Sequence, residues 1–185
     1  MAASPSSVSL IPDDVDRACE RDGKRYELIH GQLKEKSVGW EALFVASRIG
    51  SKLNAQLFPW VGFAVVSGMI WCFGRLDHGR KPDMTYAPFS RVSDGRIPKG
   101  DLEGVPNLVA EVLSPGTSAT DMLERLDEYL EAGIPLVWIV NANRRTIRAY
   151  RNDGTTRLYH AGDLIENEPL LPGFRLLVGE VFPIG

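Results

Sequence analysis

The sequence contains little cysteine and little histidine. Its 185 residues include two cysteines that lie far apart, Cys19 and Cys72, and three scattered histidines, His30, His78 and His160. No CxxC pair accompanies a histidine cluster, which argues against a zinc site. Two distant cysteines are typical of a reduced protein, so we expect a cytoplasmic location.

Long apolar runs and an excess of positive charge are also missing. The longest apolar stretches are well short of the roughly 20 residues that span a bilayer. The start, "MAASPSSVSLIPDD", has no basic segment followed by an apolar core, so we expect neither a signal peptide nor membrane association. A net charge of −3 argues against tight, nonspecific nucleic-acid binding but permits a local basic groove. Any DNA binding should therefore be weak and salt-dependent.

The remaining composition suits one globular domain, with 44% hydrophobic and 24% charged residues. We assign residues 1–22 to a partly flexible N-terminal arm and residues 23–185 to a single domain. Gly31 is expected in the turn of a hairpin, and the spacing of apolar residues predicts one early helix and one later helix that Ser118 and Asp121 cap. Predicted segments are a hairpin over 26–36, helices over 40–58 and about 118–132, and strands over 63–73, 81–88, 107–113, 135–140 and 145–151.

The later helix lies between two predicted strands. A strand, a crossover helix and a following strand favour a parallel pair within a mixed sheet, with helices packed on it. The fold class is therefore α/β, or α+β on a strict definition.

Glu111 lies within "LVAEVLSP", in the middle of an apolar strand. A buried carboxylate without a partner costs several kcal/mol or loses its charge. Asp83, in "RKPDMTY", starts another strand, and the two carboxylates would converge if these strands were neighbours. A hard cation such as Mg²⁺ (or Mn²⁺) between them would relieve their repulsion and could activate water at a phosphate. The alternative for Glu111 is a structural ion pair with an arginine.

Several stretches together resemble a known family. A Pro-Asp followed by a glutamate in a buried strand resembles the PD-(D/E)xK nuclease superfamily. More narrowly, "PDMTYAP", "NLVAEVLSPGTSATDMLERLDEYLEAGIPLVWIVN" and "LLPGF" resemble the Uma-two-type restriction endonucleases, long catalogued as a domain of unknown function. The resemblance runs from about Tyr26 to Phe182.

The resemblance implies a restriction-endonuclease-like mixed sheet flanked by helices, metal-dependent hydrolysis of phosphodiesters and a tendency to form homodimers. By position, Asp83 and Glu111 match the metal-binding acids. The backbone carbonyl of Val112 or Leu113 could add a ligand, and Glu41 matches an accessory acid.

Two positions depart from the family pattern. Leu113 stands where the superfamily has a lysine, and Ala42 stands where this family has a histidine. The lysine of this branch lies on the later helix, where the present chain has Arg125. Arginine can clamp a phosphate but cannot act as a base. Lys81 is a second candidate for the missing lysine.

Each of these assignments has a structural alternative. An exposed pair with Asp121, four residues earlier, would explain Arg125 without catalysis. The sequence thus supports a Mg²⁺-dependent DNA endonuclease, or else a weak or inactive nuclease-fold protein that binds nucleic acid or a protein partner. The basic residues expected to contact DNA are Arg48, Lys52, Arg80 and Lys81.

Overall fold

The computed structural model describes residues 10–37, 39–116 and 118–183. Its three α-helices are α1 (Pro12–Asp22), α2 (Trp40–Leu57) and α3 (Ala119–Glu131). The twelve strands are β1 (Tyr26–Ile29), β2 (Gln32–Glu35), β3 (Gly62–Val66), β4 (Ile70–Trp71), β5 (Met84–Pro88), β6 (Leu102–Glu103), β7 (Leu108–Val112), β8 (Leu136–Asn141), β9 (Thr146–Arg151), β10 (Thr156–His160), β11 (Leu164–Ile165) and β12 (Leu176–Leu177). Within these ranges no helix is both long enough and apolar enough to cross a membrane.

Six strands form the central sheet, in the order β10-β9-β8-β7-β5-β3. β7 and β8 are parallel and are joined by α3, whereas every other neighbouring pair in this sheet is antiparallel. A parallel pair needs a crossover connection, and the helix supplies it. The predicted α/β class with a mixed sheet is confirmed.

The two long helices cover opposite faces of this sheet. α2 packs Ala46, Ile49 and Leu53 against one face, where they join the larger apolar core. α3 packs Leu126 and Tyr129 against the other face, and Ser118 caps it by accepting a hydrogen bond from the Asp121 N–H at 3.0 Å. The face under α3 is the one that carries the side chain of Glu111.

Part of the expected N-terminal arm is helical. α1 begins at Pro12, and the Asp14 carboxylate accepts a hydrogen bond from the Ile11 N–H at 2.9 Å. Val15 is buried against Leu28 of β1. The Ser- and Pro-rich start of the chain hid this short amphipathic helix; residues 1–9 of the arm lie outside the described residues.

The strand expected over 63–73 is interrupted. Ser67 adopts a left-handed conformation (φ 56°), and its N–H donates to the Asp83 carbonyl at 3.1 Å. β3 therefore stays in the central sheet, while β4 leaves it and pairs with β6. Ser67 and Gly68 interrupt the otherwise apolar run at this point, a local signal that the predicted single strand did not take into account.

The predicted β1–β2 hairpin is confirmed. Its register pairs Tyr26 with Glu35, and Gly31 occupies the turn with φ 75°. Leu28 exchanges backbone hydrogen bonds with Gly79, at 3.0 and 2.7 Å, so the hairpin is held beside the segment that leads to Asp83. This docking brings Glu27 and Lys36 next to the central sheet.

Candidate active site

Asp83 and Glu111 meet at one end of two adjacent strands. β5 and β7 are antiparallel, with Met84 opposite Ala110, so the residue before Met84 falls beside Glu111. The Val112 N–H donates to Oδ2 of Asp83 at 2.8 Å, which fixes this carboxylate against β7. Both acids are 3% exposed. The convergence expected from the sequence is observed.

The ammonium group of Lys36 lies between these two carboxylates. Its Nζ is 3.0 Å from Oδ1 of Asp83 and 3.0 Å from Oε2 of Glu111, and it donates to the Lys81 carbonyl at 2.7 Å. The side chain is only 9% exposed. Because both acids lie equally close to one nitrogen, their facing oxygens are at most twice that distance apart.

Arg125 belongs to this cluster but not through Asp121. Its guanidinium donates to both oxygens of Glu27, at 2.8 and 3.0 Å, and to Oε1 of Glu111 at 3.1 Å. Asp121 lies 3.8 Å from Lys34 instead. The proposed exposed pair of Arg125 with Asp121 is therefore wrong, because α3 turns Arg125 toward the sheet. The alternative of an ion pair between Glu111 and an arginine is confirmed.

Two members of the cluster, Glu27 and Lys36, were missed from the sequence. Glu27 is 1% exposed and lies in the strand "YELI", so the argument that identified Glu111, a carboxylate among buried strand residues, could have found it. Lys36 follows β2, a strand that is largely exposed, and 75 residues separate it from Glu111. No local pattern identifies such a residue.

Glu27 also links the cluster to a second group of charged residues, which does not contact Glu111. Arg80 donates to Oε2 of Glu27 at 3.1 Å and to Glu128 at 2.7 Å, and Nε2 of His78 is 3.2 Å from the same Glu128 oxygen. Arg80 is buried, so the expectation that it contacts DNA is wrong. Arg48 and Lys52 are also engaged, both with Glu180.

Burial and neighbouring charge give the two central acids opposite pKa shifts. Burial raises the pKa of Asp83, and the charge of Glu111 raises it further, against Lys36 and the Val112 N–H. Burial also raises the pKa of Glu111, but Lys36 and Arg125 outweigh it, so the net pKa is lowered. Asp83 is therefore the acid in which the charged form is disfavoured.

The basic groups of the cluster keep their protons. Burial lowers the pKa of Lys36, but Glu111 and Asp83 outweigh it and the net pKa is raised. The pKa of Arg125 is raised as well, since its carboxylate and Tyr129 neighbours outweigh burial. Around Glu27, burial is outweighed by Arg125, Lys36 and Arg80, which lower its pKa to about 2. The cluster thus holds fixed charges of both signs.

The cluster opens into a cleft of about 380 Å³ beside the loop that joins β7 to α3. Its lining includes Lys36, Asp83, Glu111, Val112 and Arg125. Two residues assigned from the sequence are not among the lining residues. Glu41 is exposed on α2, where its neighbour Ala42 lines the cleft, and Lys81 contributes its carbonyl to Lys36 rather than its side chain.

The donor set suits a hard divalent cation, although only two carboxylates supply it. Across the ranges that the model describes, no group of three or more His, Cys, Asp or Glu side chains could hold a metal ion. Mg²⁺, however, commonly takes one or two carboxylates and completes its shell with water and phosphate oxygens. Oδ1 of Asp83 is buried without a hydrogen-bond donor in good geometry, although the Lys36 ammonium is in ionic contact with it. Lys36 thus marks a place where these two acids already accept a cation.

The fold of this chain is similar to that of a solved structure. The fold matches the crystal structure of a "putative nuclease belonging to DUF820" from Anabaena variabilis, with a TM-score of 0.71 and 22% identity over 86% of this chain and 90% of that chain. This likeness supports the fold, a mixed α/β sheet flanked by helices.

The family follows from the sequence itself. Residues 12–179 match the model of the Uma2 family, described as "Putative restriction endonuclease". The chain belongs to this family. No curated protein matches the sequence.

Proposed function

We propose that this protein is a divalent-metal-dependent nuclease that hydrolyses phosphodiester bonds of DNA. The observation that carries the proposal is that Asp83 and Glu111 both contact the Lys36 ammonium group within an open cleft. The nuclease family to which the chain belongs supports the same reaction class. Weak, salt-dependent binding of DNA is expected from the net charge of −3.

Asp83 and Glu111 would hold the metal, with the Val112 carbonyl as a further predicted ligand. When bound, a divalent ion lowers the pKa of a water molecule and neutralises charge on a phosphate. Tyr129 donates to Oε1 of Glu111 at 2.6 Å, and Arg125 donates to the same oxygen. These two donors leave Oε2, the oxygen that faces Lys36, as the one that can accept the metal.

Lys36 and Arg125 have different roles in this proposal. Lys36 has a flexible stem and three N–H donors, so it can turn from the carboxylates to an oxygen of the scissile phosphate. Arg125 is held by two bonds to Glu27 and stays charged, so it orients Glu111 and cannot act as a base. Lys36 therefore takes the part that the sequence assigned to Arg125 or Lys81, and Arg125 is a positioning residue.

A second candidate function rests on the same contact. Lys36 already supplies a positive charge to both acids, so the cluster can persist without metal as a structural ion-pair network. The protein would then be an inactive nuclease-fold module that binds nucleic acid or a protein partner. Affinity for divalent metal distinguishes the two, since only the nuclease requires Lys36 to give way.

Nicking of supercoiled plasmid tests the proposal. The wild-type protein should nick plasmid in Mg²⁺ or Mn²⁺ and stop when EDTA is added, whereas Asp83→Asn should not nick it. Asp121→Asn is the matched control, because Asp121 lines the same cleft but is exposed and bonded to neither central acid. Cleavage by wild type and Asp83→Asn at the same rate would contradict the metal role of Asp83, and no cleavage by any variant would favour the inactive module.

A further inference from the structure

A second concave surface begins where the cleft ends. Ser114 lines the cleft, and its neighbour Leu113 lines a groove of about 610 Å³ on the α3 face of the central sheet. We call this surface the sheet groove. Its main lining residues are Leu113, Ile139, Arg144, Arg148, Tyr150 and His160.

The sheet register connects this groove directly to Glu111. Glu111 pairs with Ile139 of β8, Ile139 pairs with Arg148 of β9, and Arg148 pairs with Leu158 of β10. Side chains of directly paired residues lie on the same face of a sheet. At a strand spacing of about 4.8 Å, Arg148 is therefore roughly 10 Å from Glu111 across the sheet. Leu158 is 38% exposed, so this part of the row is open to solvent.

The charge of the sheet groove differs from that of the rest of the molecule. No carboxylate is among its lining residues, although the whole chain carries a net charge of −3. Arg144 and Arg148 are exposed, and neither guanidinium forms an ion pair within the part of the chain that the structure describes. Asp163 does not line the groove, although its carboxylate accepts a hydrogen bond from the backbone N–H of the lining residue His160 at 2.7 Å. Arginines without partners on an acid-free surface attract phosphate groups.

We propose that the sheet groove binds the phosphate backbone of a DNA strand that passes through the cleft. This inference rests on the proposed nuclease function and names the surface that holds the substrate. From β7 to β10 the groove spans three strand spacings, or about 14 Å. That length corresponds to about four phosphates along one strand of B-DNA. Arg144 and Arg148 can each contact a phosphate.

Substitution of the two arginines tests the sheet groove, with a matched pair as control. The test variant is Arg144→Gln/Arg148→Gln, and the control is Arg157→Gln/Arg175→Gln. Arg157 lies on β10 with its side chain on the opposite face, where it pairs with Ala149, and Arg175 is an exposed residue whose N–H bonds to Gln56 of α2. Both variants lose two positive charges, and the control also loses the exposed ion pair of Arg175 with Glu166 and the contact of Arg157 with the Tyr159 ring.

Binding is measured by fluorescence anisotropy with a labelled 20-base-pair duplex, in EDTA, at several salt concentrations. EDTA separates binding from hydrolysis. Wild type should bind with a steep salt dependence, and the groove variant should bind roughly tenfold more weakly at low salt. The slope of log K against log salt is negative, and each lost phosphate contact makes it less steep by about 0.9. The groove variant, which loses two contacts, should therefore have a slope less steep than wild type by about 1.8. The control variant should keep the wild-type slope.

Three results would overturn the inference. They are an equal loss of affinity in both variants, no loss in the groove variant, and no binding by wild type at low salt. Light scattering adds a further check, because a dimer that becomes a monomer only in the groove variant, with DNA affinity unchanged, would assign this surface to a second copy of the chain. Weaker binding by the groove variant together with no nicking by wild type would leave the sheet groove in place and refute the proposed hydrolysis.

Discussion

Lys36 places its ammonium nitrogen 3.0 Å from Oδ1 of Asp83. The same nitrogen is 3.0 Å from Oε2 of Glu111. Two buried carboxylates so close to each other repel unless one takes up a proton or a positive charge lies between them. The protein therefore carries its own cation in the cleft, and a divalent ion must compete with it.

Removal of that internal cation should strengthen metal binding. In Lys36→Met, the two acids keep their positions but lose the charge that offsets their repulsion, so the metal-free protein should be destabilised by about 3–5 kcal/mol. Mn²⁺ should restore more stability to this variant than it adds to wild type, because binding only to the folded state stabilises it. Urea unfolding with and without Mn²⁺ measures both effects.

Lys34→Met is the control for Lys36→Met. Lys34 lines the same cleft from the same hairpin, two residues before Lys36, but is exposed. Its substitution should change the free energy of unfolding by less than about 0.5 kcal/mol. An equal response of the two variants to Mn²⁺ would show that Lys36 does not compete with metal.

Neutralisation of Asp83 should not destabilise the metal-free protein. Burial and the charge of Glu111 raise the pKa of Asp83, so its ionised form opposes folding at pH values above its ordinary 3.8. Asp83→Asn should therefore be as stable as wild type or more stable at pH 7, and should lose the stabilisation by Mn²⁺. Thermal melts with and without Mn²⁺ check this. An undiminished Mn²⁺ effect in Asp83→Asn would place the ion elsewhere.

Glu27 should dominate the acid sensitivity of the fold. Its pKa is lowered from 4.5 to about 2, since the attraction of Arg125, Lys36 and Arg80 exceeds the effect of burial. A carboxyl with a lowered pKa stabilises the folded state above its ordinary pKa, and this stability is lost as the pH falls from about 4.5 toward 2. Glu27→Gln should therefore be less stable at pH 7 and should show a shallower loss of stability below pH 4.5. Urea unfolding across this pH range decides it, and parallel pH curves for the two proteins would refute the assignment.

Arg125 should prove structural rather than a substitute for lysine. Its guanidinium bonds both oxygens of Glu27 and one oxygen of Glu111, an arrangement that the single nitrogen of lysine cannot reproduce. Arg125→Ala should cost about 3–5 kcal/mol because it removes one charged partner from each of two buried acids, and Arg125→Lys should cost less. Neither change should increase cleavage. Faster plasmid nicking by Arg125→Lys would instead give Arg125 the role that the family resemblance implied.

Local signals in the sequence identified much of this fold and two of the five central residues, Asp83 and Glu111, while the family resemblance added Arg125. Ser118 and Asp121 marked the start of α3, Gly31 marked the hairpin turn, and the carboxylate within an apolar strand identified Glu111. These features depend on neighbours in sequence, which is why a pattern can reveal them.

Contacts between distant segments account for what the sequence did not reveal. Lys36 reaches the acids only because the hairpin docks beside the segment that leads to Asp83, and Arg125 turns inward because Glu27 accepts its guanidinium. A helical position near Asp121 predicted a surface pair instead. The role of such a residue depends on the side chains that it contacts from distant parts of the sequence, and local sequence patterns do not predict those contacts.

Diffraction from a crystal soaked in Mn²⁺ tests most directly whether Asp83 and Glu111 form a divalent-metal site. An anomalous-difference map locates the ion without assumptions about its ligands. We predict a peak between Asp83 and Oε2 of Glu111, with the Lys36 ammonium moved away from both carboxylates. A map without a peak there, with Lys36 still in contact with both acids at saturating Mn²⁺, would contradict it.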